Sequence, residues 1–336
     1  MTERITIVGG GNLGLACAAR LAEAGVEVTL LTTSPGSWSS EISVEDCDGR
    51  VFAGRLARVT SDPAVAADAD LIFLCLPGNV IKERLLALKP YLVACPSSRV
   101  PVASVFSADG FFFLAEEVLG TDWPVMGFAR VPFISRTKVP FRVGGITGYR
   151  KELQLAQRNL TDPESWRRLF ARAFGTPTCL LDNFYVAALA NSNPIIHPAR
   201  LMSLRRQIEA NGPFSRMPLF YEEWDDVASD YAIRLDAELR AVASAMGARL
   251  VPFLEYYESS DAPSLTRKIR SIAAFKGIGS PVLKSGEIDF SSRHVQADIV
   301  ISVGEIRRLS RQLGLVSPCA DEICALDWRQ EGSGCR

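Results

Sequence analysis

Residues 4–14 read Arg4-Ile5-Thr6-Ile7-Val8-Gly9-Gly10-Gly11-Asn12-Leu13-Gly14. A short β-rich run meets three consecutive glycines, and Leu15 to Ala24 continues as a small, apolar, helix-compatible stretch closed by Gly25. Val26 to Leu31 is again strand-like, so the glycines occupy the turn of a strand-helix-strand unit of about 30 residues. In that setting Gly9, Gly11 and Gly14 match a dinucleotide-binding fingerprint. The first glycine permits the tight turn, the second lets the backbone approach a pyrophosphate, and the third lets helix pack on strand. The phosphates then lie on the helix N-terminus, at Asn12 and Leu13. The bland alternative is a glycine-rich turn with no ligand.

Working outward, the second strand ends in Thr32, Thr33 and Ser34, where an NAD-binding chain usually places a carboxylate for the ribose 2′-hydroxyl. Without that carboxylate a 2′-phosphate is not repelled, so NADP(H) is favoured and NAD(H) possible, with no basic residue nearby in the sequence. Ala69 to Leu76 is an uninterrupted apolar run stopped by Pro77-Gly78, as expected for a buried parallel strand whose end opens toward a cofactor. Thr33, Ser34 and Pro77 therefore join the candidate cofactor contacts.

Ile42 and Val44, a turn at Asp46 to Gly49, and Val51-Phe52 read as a hairpin attached to the sheet. Val80 to Leu88 and Phe112 to Leu119 read as helices, and Val100 to Phe106, Val125 to Ala129 and Phe141 to Ile146 as strands. Asp162 caps a helix with Pro163 at its first position, ending at Gly175, and Thr178 to Leu181 is a last strand. Beyond it the period becomes helical: Ala228, Tyr231, Leu235, Leu239, Val242 and Met246 share one face, Leu265, Ile269 and Ile272 another, and Ile299 to Leu313 forms a third helix. The expected fold is α/β: an N-terminal Rossmann-type doubly wound sheet over 1–181 and a C-terminal all-α domain over 182–336, fraying after Trp328.

The 336 residues are 48% hydrophobic and 22% charged, within the globular range. With 37 basic against 38 acidic side chains there is no global field for a polyanion, so nucleic acid is excluded as a partner. No apolar run approaches a membrane span. Glu3 beside Arg4 and then three glycines is poor signal-peptide chemistry, and eight cysteines without close pairing make no disulfide framework, which points to the cytoplasm. Two histidines cannot build a multi-histidine centre, and no metal is expected.

Those two histidines concentrate attention. His197 lies in Asn193-Pro194-Ile195-Ile196-His197-Pro198, bracketed by prolines near a helix start. A reaction that moves a proton with a hydride needs a group titrating near neutrality, although a lone histidine is more often structural. Ser292-Arg293-His294-Val295-Gln296-Ala297-Asp298 offers a guanidinium to clamp a substrate carboxylate and a carboxylate to orient His197. The plain alternative is a surface arginine and a helix-capping aspartate.

These residues, with Val131-Pro132-Phe133-Ile134-Ser135-Arg136, Tyr221-Glu222-Glu223-Trp224, Asp236-Ala237-Glu238-Leu239 and Ser264 to Pro281, carry a resemblance spanning most of the chain. The sequence resembles the octopine/nopaline dehydrogenase superfamily and, more narrowly, the bacterial opine-metallophore dehydrogenases of the staphylopine and pseudopaline type. The resemblance implies a Rossmann domain for NAD(P)H, a helical substrate domain, a cleft between them and a homodimer. It implies His197 and Asp298 as the catalytic pair and places at the cleft the segment of Arg293, the candidate substrate-binding residue. The implied reaction is reductive condensation of an amine, in the metallophore branch an aminobutyrate-extended amino acid, with pyruvate or 2-oxoglutarate. His294 stands where those enzymes usually carry an aromatic residue. Two other readings compete: a ketopantoate- or hydroxyacid-type reductase acting without an amine, and a non-catalytic NADP-binding sensor.

Overall fold

The computed structural model describes residues 3–94, 99–107, 110–189, 192–326 and 328. The tail after Trp328, expected to fray, lies outside the described residues. The chain forms two compact units, Met1–Ala188 and Leu189–Arg336.

The strands of the first unit are β1 (Arg4–Val8), β2 (Glu27–Leu31), β3 (Glu41–Glu45), β4 (Val51–Arg55), β5 (Arg58–Thr60) and β6 (Leu71–Leu74). They continue as β7 (Val102–Ser104), β8 (Val125–Phe128), β9 (Phe133–Val139), β10 (Val143–Tyr149), β11 (Leu153–Arg158) and β12 (Thr178–Leu180). The helices are α1 (Asn12–Glu23), α2 (Gly78–Val93), α3 (Phe111–Leu119), α4 (Pro163–Phe174) and α5 (Phe184–Leu189). An eight-stranded sheet runs β12-β11-β8-β7-β6-β1-β2-β5. It is parallel except where β11 meets β8, so the expected doubly wound Rossmann-type sheet is present. β1 lies between β2 and β6, so the connections after β1 and β6 leave in opposite directions, the usual place for a cofactor in such sheets.

The hairpin does not join this sheet. β3 and β4 pair with β10 and β9 in a separate four-stranded sheet, order β4-β3-β10-β9. Helix α1 packs against both sheets, and its Gly14 to Leu21 stretch is buried throughout. Small residues there make the sandwich possible. A Cβ on Gly54 of β4 would lie 2.6 Å from that of Ala22, so the second sheet reaches the helix backbone only through a glycine. Arg20 is also buried; its Nε donates to the Ala173 carbonyl (2.8 Å) and its guanidinium lies 3.5 Å over the Phe52 ring. Strands β9 and β11 escape the sequence reading because their alternation is interrupted by charged and glycine-rich neighbours.

The boundary falls after Ala188 instead of Leu181, because Phe184 packs on Phe112 (ring centroids 5.0 Å) and Tyr185 stacks on Phe113 (6.2 Å), keeping α5 with the first unit.

The second unit is helical apart from isolated bridges at Leu219–Gly279 and Val282–Ile288. Its helices are α6 (Asn193–Asn211), α7 (Asp226–Ala245), α8 (Phe253–Tyr256), α9 (Ala262–Ser271), a π-helix (His294–Val303), α10 (Gly304–Gln312) and α11 (Pro318–Ala325). Helix α6 packs on α7 and on the π-helix, buried from Pro194 to Leu204. The expected α-helix over Ile299 to Leu313 thus begins as the last turns of a π-helix. Caps follow the sequence: Asp225 accepts from Ala228 N (2.8 Å), and Asp261 and Ser264 form a capping box. No helix among the described residues is long and apolar enough to cross a membrane.

Buried Glu238 on α7 accepts from the backbone N–H groups of Cys319 (2.6 Å) and Ala320 (2.9 Å), anchoring the start of α11. Glu238→Ala strands both donors and is expected to lower stability by about 1–3 kcal/mol for each, with Glu238→Gln milder. Urea denaturation of the three proteins checks the order.

Candidate active site

The fingerprint is built into the first unit as a close-approach turn. Gly9 has φ +104°, and a Cβ there would meet the Cys75 carbonyl oxygen at 2.8 Å; one on Gly14 would lie 1.9 Å from the Gly9 carbonyl oxygen. Gly10 is also constrained, since its Cβ would lie 2.3 Å from the Trp38 ring. Gly11, the N-cap of α1, has nothing within 4 Å of its Cβ position and no side-chain cap, leaving the first turn open. Asn12 starts that turn with its side-chain Oδ1 accepting from Thr137 N (2.9 Å) and Thr137 Oγ1 (2.7 Å), while Leu13 packs against the core.

The open helix end fits an anionic ligand, and so does a second observation: the indole N–H of Trp38, beside Gly10, is buried with no hydrogen-bond partner among the described residues. A cavity of about 170 Å³ continues from Gly9 and Gly10 to Thr32 and Thr33, and Ser61, Leu76 and Arg84 complete it. Thr33 therefore faces the cavity, whereas Ser34, N-cap of the 3-10 turn Pro35–Ser37, is not among its lining residues. Pro77 is the N-cap of α2. Arg84 was missed by the sequence reading because it comes from α2, far along the chain from Thr32 and Thr33.

In the second unit, His197 sits on the first turns of α6, after Pro194 has set the helix start. Its Nδ1 is 2.7 Å from Asp298 Oδ2 on the π-helix, and both residues are buried. Asp298 is thus an interior partner of the imidazole, not a surface cap. A carboxylate is an acceptor, so Nδ1 carries the proton and Nε2 is left for other partners. That partner is the Tyr221 hydroxyl, 3.1 Å away. Tyr221 is itself buried and stacked on Phe275 (4.1 Å). Burial, reinforced by the Asp298 charge, pushes its phenol up to about 12, so it remains a neutral hydroxyl.

His294 lies edge-on to His197 with ring centroids 4.5 Å apart and stacks on Phe220 at 5.3 Å. Burial first, then the positive charges of His197 and Arg293, outweigh the opposing Asp298 and push it down to about 4. His294 and Asp298, four residues apart on the π-helix, both meet the His197 ring. Arg293 precedes this helix, and its exposed guanidinium has no hydrogen bond or ion pair among the described residues.

A buried arginine ties down the loop that carries the tyrosine. Arg200, three residues after His197, donates to the Leu219 carbonyl (3.4 Å) and Ser203 Oγ (3.3 Å) and pairs with Asp225 (3.6 Å). Phe220 N donates to the Ile278 carbonyl (2.7 Å), fixing the other side of the same loop. Sequence reading missed Arg200 and Tyr221; a buried-face arginine on a helix carrying a candidate histidine was the available signal. Among the described residues no group of three histidine, cysteine or acidic side chains could hold a metal ion.

Residues 180–328 match the family described as NAD/NADP octopine/nopaline dehydrogenase, alpha-helical domain, and residues 5–95 match ketopantoate reductase PanE/ApbA. No curated protein matches the chain by sequence. Among solved structures, octopine dehydrogenase in complex with NADH and agmatine is similar with 25% identity and TM-score 0.80, covering 98% of this chain and 89% of that one. NADP+-bound yersinopine dehydrogenase is similar at 12% identity and TM-score 0.74, covering 96% and 90%. A PanE/ApbA family ketopantoate reductase from Ralstonia eutropha JMP134 follows at 20% identity and TM-score 0.62, covering 96% of each chain. The last two show a shared fold alone. The superfamily resemblance carried by the sequence motifs holds, and with it the reading of the chain as an NAD(P)H-linked oxidoreductase.

Since the folded His294 lies below its ordinary value of 6.5, the unfolded chain binds its proton first as pH falls. Its contribution to stability is present above pH 6.5 and is lost as pH falls through about 4. His294→Phe, which keeps a ring on Phe220, is expected to flatten that part of the profile in urea denaturation followed from pH 7 to 4.

Proposed function

From the match of residues 180–328 to the octopine/nopaline dehydrogenase helical domain, we propose that the chain is an NADPH-dependent opine dehydrogenase. It joins an amino-acid-derived primary amine to a 2-keto acid, with loss of water, and reduces the resulting imine to a secondary amine. The observation that carries this reading is the buried His197–Asp298 pair, at 2.7 Å, inside the matched helical domain.

The reduced nicotinamide, when bound, supplies the hydride. The chain supplies the rest. With Nδ1–H donated to Asp298, His197 exchanges protons through Nε2: as the imidazolium it gives a proton to the departing carbinolamine hydroxyl and takes back the amine N–H proton, which it then returns to the imine nitrogen as the carbon is reduced. The buried Asp298 carboxylate stabilises the imidazolium that this requires. Tyr221 keeps Nε2 oriented through its neutral hydroxyl. Arg293, exposed and unpaired among the described residues, holds a substrate carboxylate through its planar fork.

For substrates, the metallophore-type motifs favour an aminobutyrate-extended amino acid as the amine and pyruvate or 2-oxoglutarate as the keto acid. NADPH is favoured by the absence of Asp or Glu at Thr32 to Ser34. The free, buried thiols of Cys17, Cys75 and Cys319 suit a reducing cytoplasm. A homodimer follows from the family resemblance. A ketoacid reductase working without an amine is the second reading, favoured by the match of residues 5–95.

NADPH oxidation followed with a panel of amines and keto acids, with product masses, tests the proposal. Turnover requiring both substrates and yielding the condensed mass is expected; turnover with keto acid alone favours the second reading. His197→Ala and Asp298→Asn are each expected to keep NADPH binding and lower kcat by ~10²- to 10⁴-fold. Their double mutant should lose less than the product of the two losses, because the residues act as one unit. Arg293→Lys should raise KM for one substrate with NADPH affinity unchanged, and Arg293→Ala should raise it further; unchanged KM values in Arg293→Ala remove it from the site.

A further inference from the structure

The cavity beside the glycine turn has a composition that the sequence order conceals. Thr32 and Thr33 extend from the end of β2, Ser61 follows β5, and Arg84 comes from α2, which starts beyond β6 on the other side of β1. The Thr32 N–H donates to the Thr60 carbonyl (2.9 Å), which ties the first two of these segments together. No carboxylate is among the lining residues. Asp62, the acidic residue next to Ser61, uses its Oδ1 to cap the 3-10 helix Pro63–Asp68 through Ala64 N (2.9 Å). On α2, Lys82 is taken up by an ion pair with Glu117, whereas the half-buried Arg84 has no hydrogen bond or ion pair among the described residues.

We infer that Arg84, with the hydroxyls of Thr32, Thr33 and Ser61, forms the subsite for the 2′-phosphate of NADP(H). This rests on the NADPH reading above and names the residue that produces the preference. The volume of about 170 Å³ suits a phosphate on a ribose, not a whole dinucleotide, and the cavity is continuous with Gly9 and Gly10 of the phosphate turn. A guanidinium matches a phosphate bidentately, and three hydroxyls can donate to the remaining oxygens. A free ribose 2′-hydroxyl would find donors there and no carboxylate to receive its own proton.

The test is the dissociation constants of NADPH, NADH, 2′,5′-ADP and 5′-AMP, measured at one fixed ionic strength for the wild type, Arg84→Ala, Arg84→Lys and Thr33→Asp. Arg84→Ala is expected to weaken NADPH and 2′,5′-ADP by about ten-fold or more while NADH and 5′-AMP are unchanged. Arg84→Lys should fall between, keeping the charge without the fork, and Thr33→Asp should weaken the phosphorylated pair selectively. If the wild type prefers NADPH and Arg84→Ala leaves that preference intact, the assignment of Arg84 is overturned and the cofactor reading stands. An equal loss for NADH and NADPH also overturns it, since Arg84 would then contact the shared part of the cofactor. A wild type that binds NADH as well as NADPH overturns both. Unchanged circular dichroism and melting temperature of each variant exclude misfolding as the source of a loss.

Discussion

A buried helix that carries polar side chains obliges its surroundings to satisfy them, and α6 imposes that constraint on the whole helical unit. From Pro194 to Leu204 it is shielded from water, yet it carries His197, Arg200 and Ser203. Leaving such groups unpaired would cost on the order of 1–3 kcal/mol each, and more for a charge. The neighbours answer most of this demand, although among the described residues Arg200 Nε keeps no partner. The π-helix brings Asp298 to His197, the loop before α7 brings the Leu219 carbonyl to Arg200, and the α7 cap Asp225 accepts from Ser203 and Gln207. The same bonds that stabilise the interior therefore place a carboxylate on one imidazole nitrogen and a phenol on the other.

The π-helix is part of that solution. The segment His294 to Val303 presents a second imidazole and a carboxylate, four residues apart, to one ring. Such segments are rare in proteins and concentrate at functional sites. Keeping His294 neutral has a local benefit too, because a second charge beside His197 would oppose the imidazolium on which the proposed chemistry depends.

The first unit is governed by a different constraint, the close approach of backbones. Gly14 packs on the Gly9 carbonyl, Gly10 lies under Trp38, and Gly54 lets a second sheet reach α1. These contacts fix the glycine turn by close packing and leave its open end to what surrounds it. Around it lie hydroxyls, an indole N–H and one arginine.

Much of this was legible in the linear chain. Hydrophobic period, capping residues and glycine spacing are local properties, so the parallel sheet, α1, α4, α7 and the helical second half could be read from neighbours along the sequence. His197, Asp298 and Arg293 became candidates through residue scarcity, spacing and family motifs. What the sequence by itself determined is therefore the fold class and the residue types available for chemistry. Tertiary structure alone decided which of them meet: the separate sheet of β3, β4, β9 and β10, the Tyr221 hydroxyl on His197, Arg200 beneath the loop, His294 against His197, and Arg84 beside Thr32 and Thr33. Each joins segments distant in the chain, and no periodicity records such a pairing, because it arises from packing whole elements and satisfying their buried polar groups.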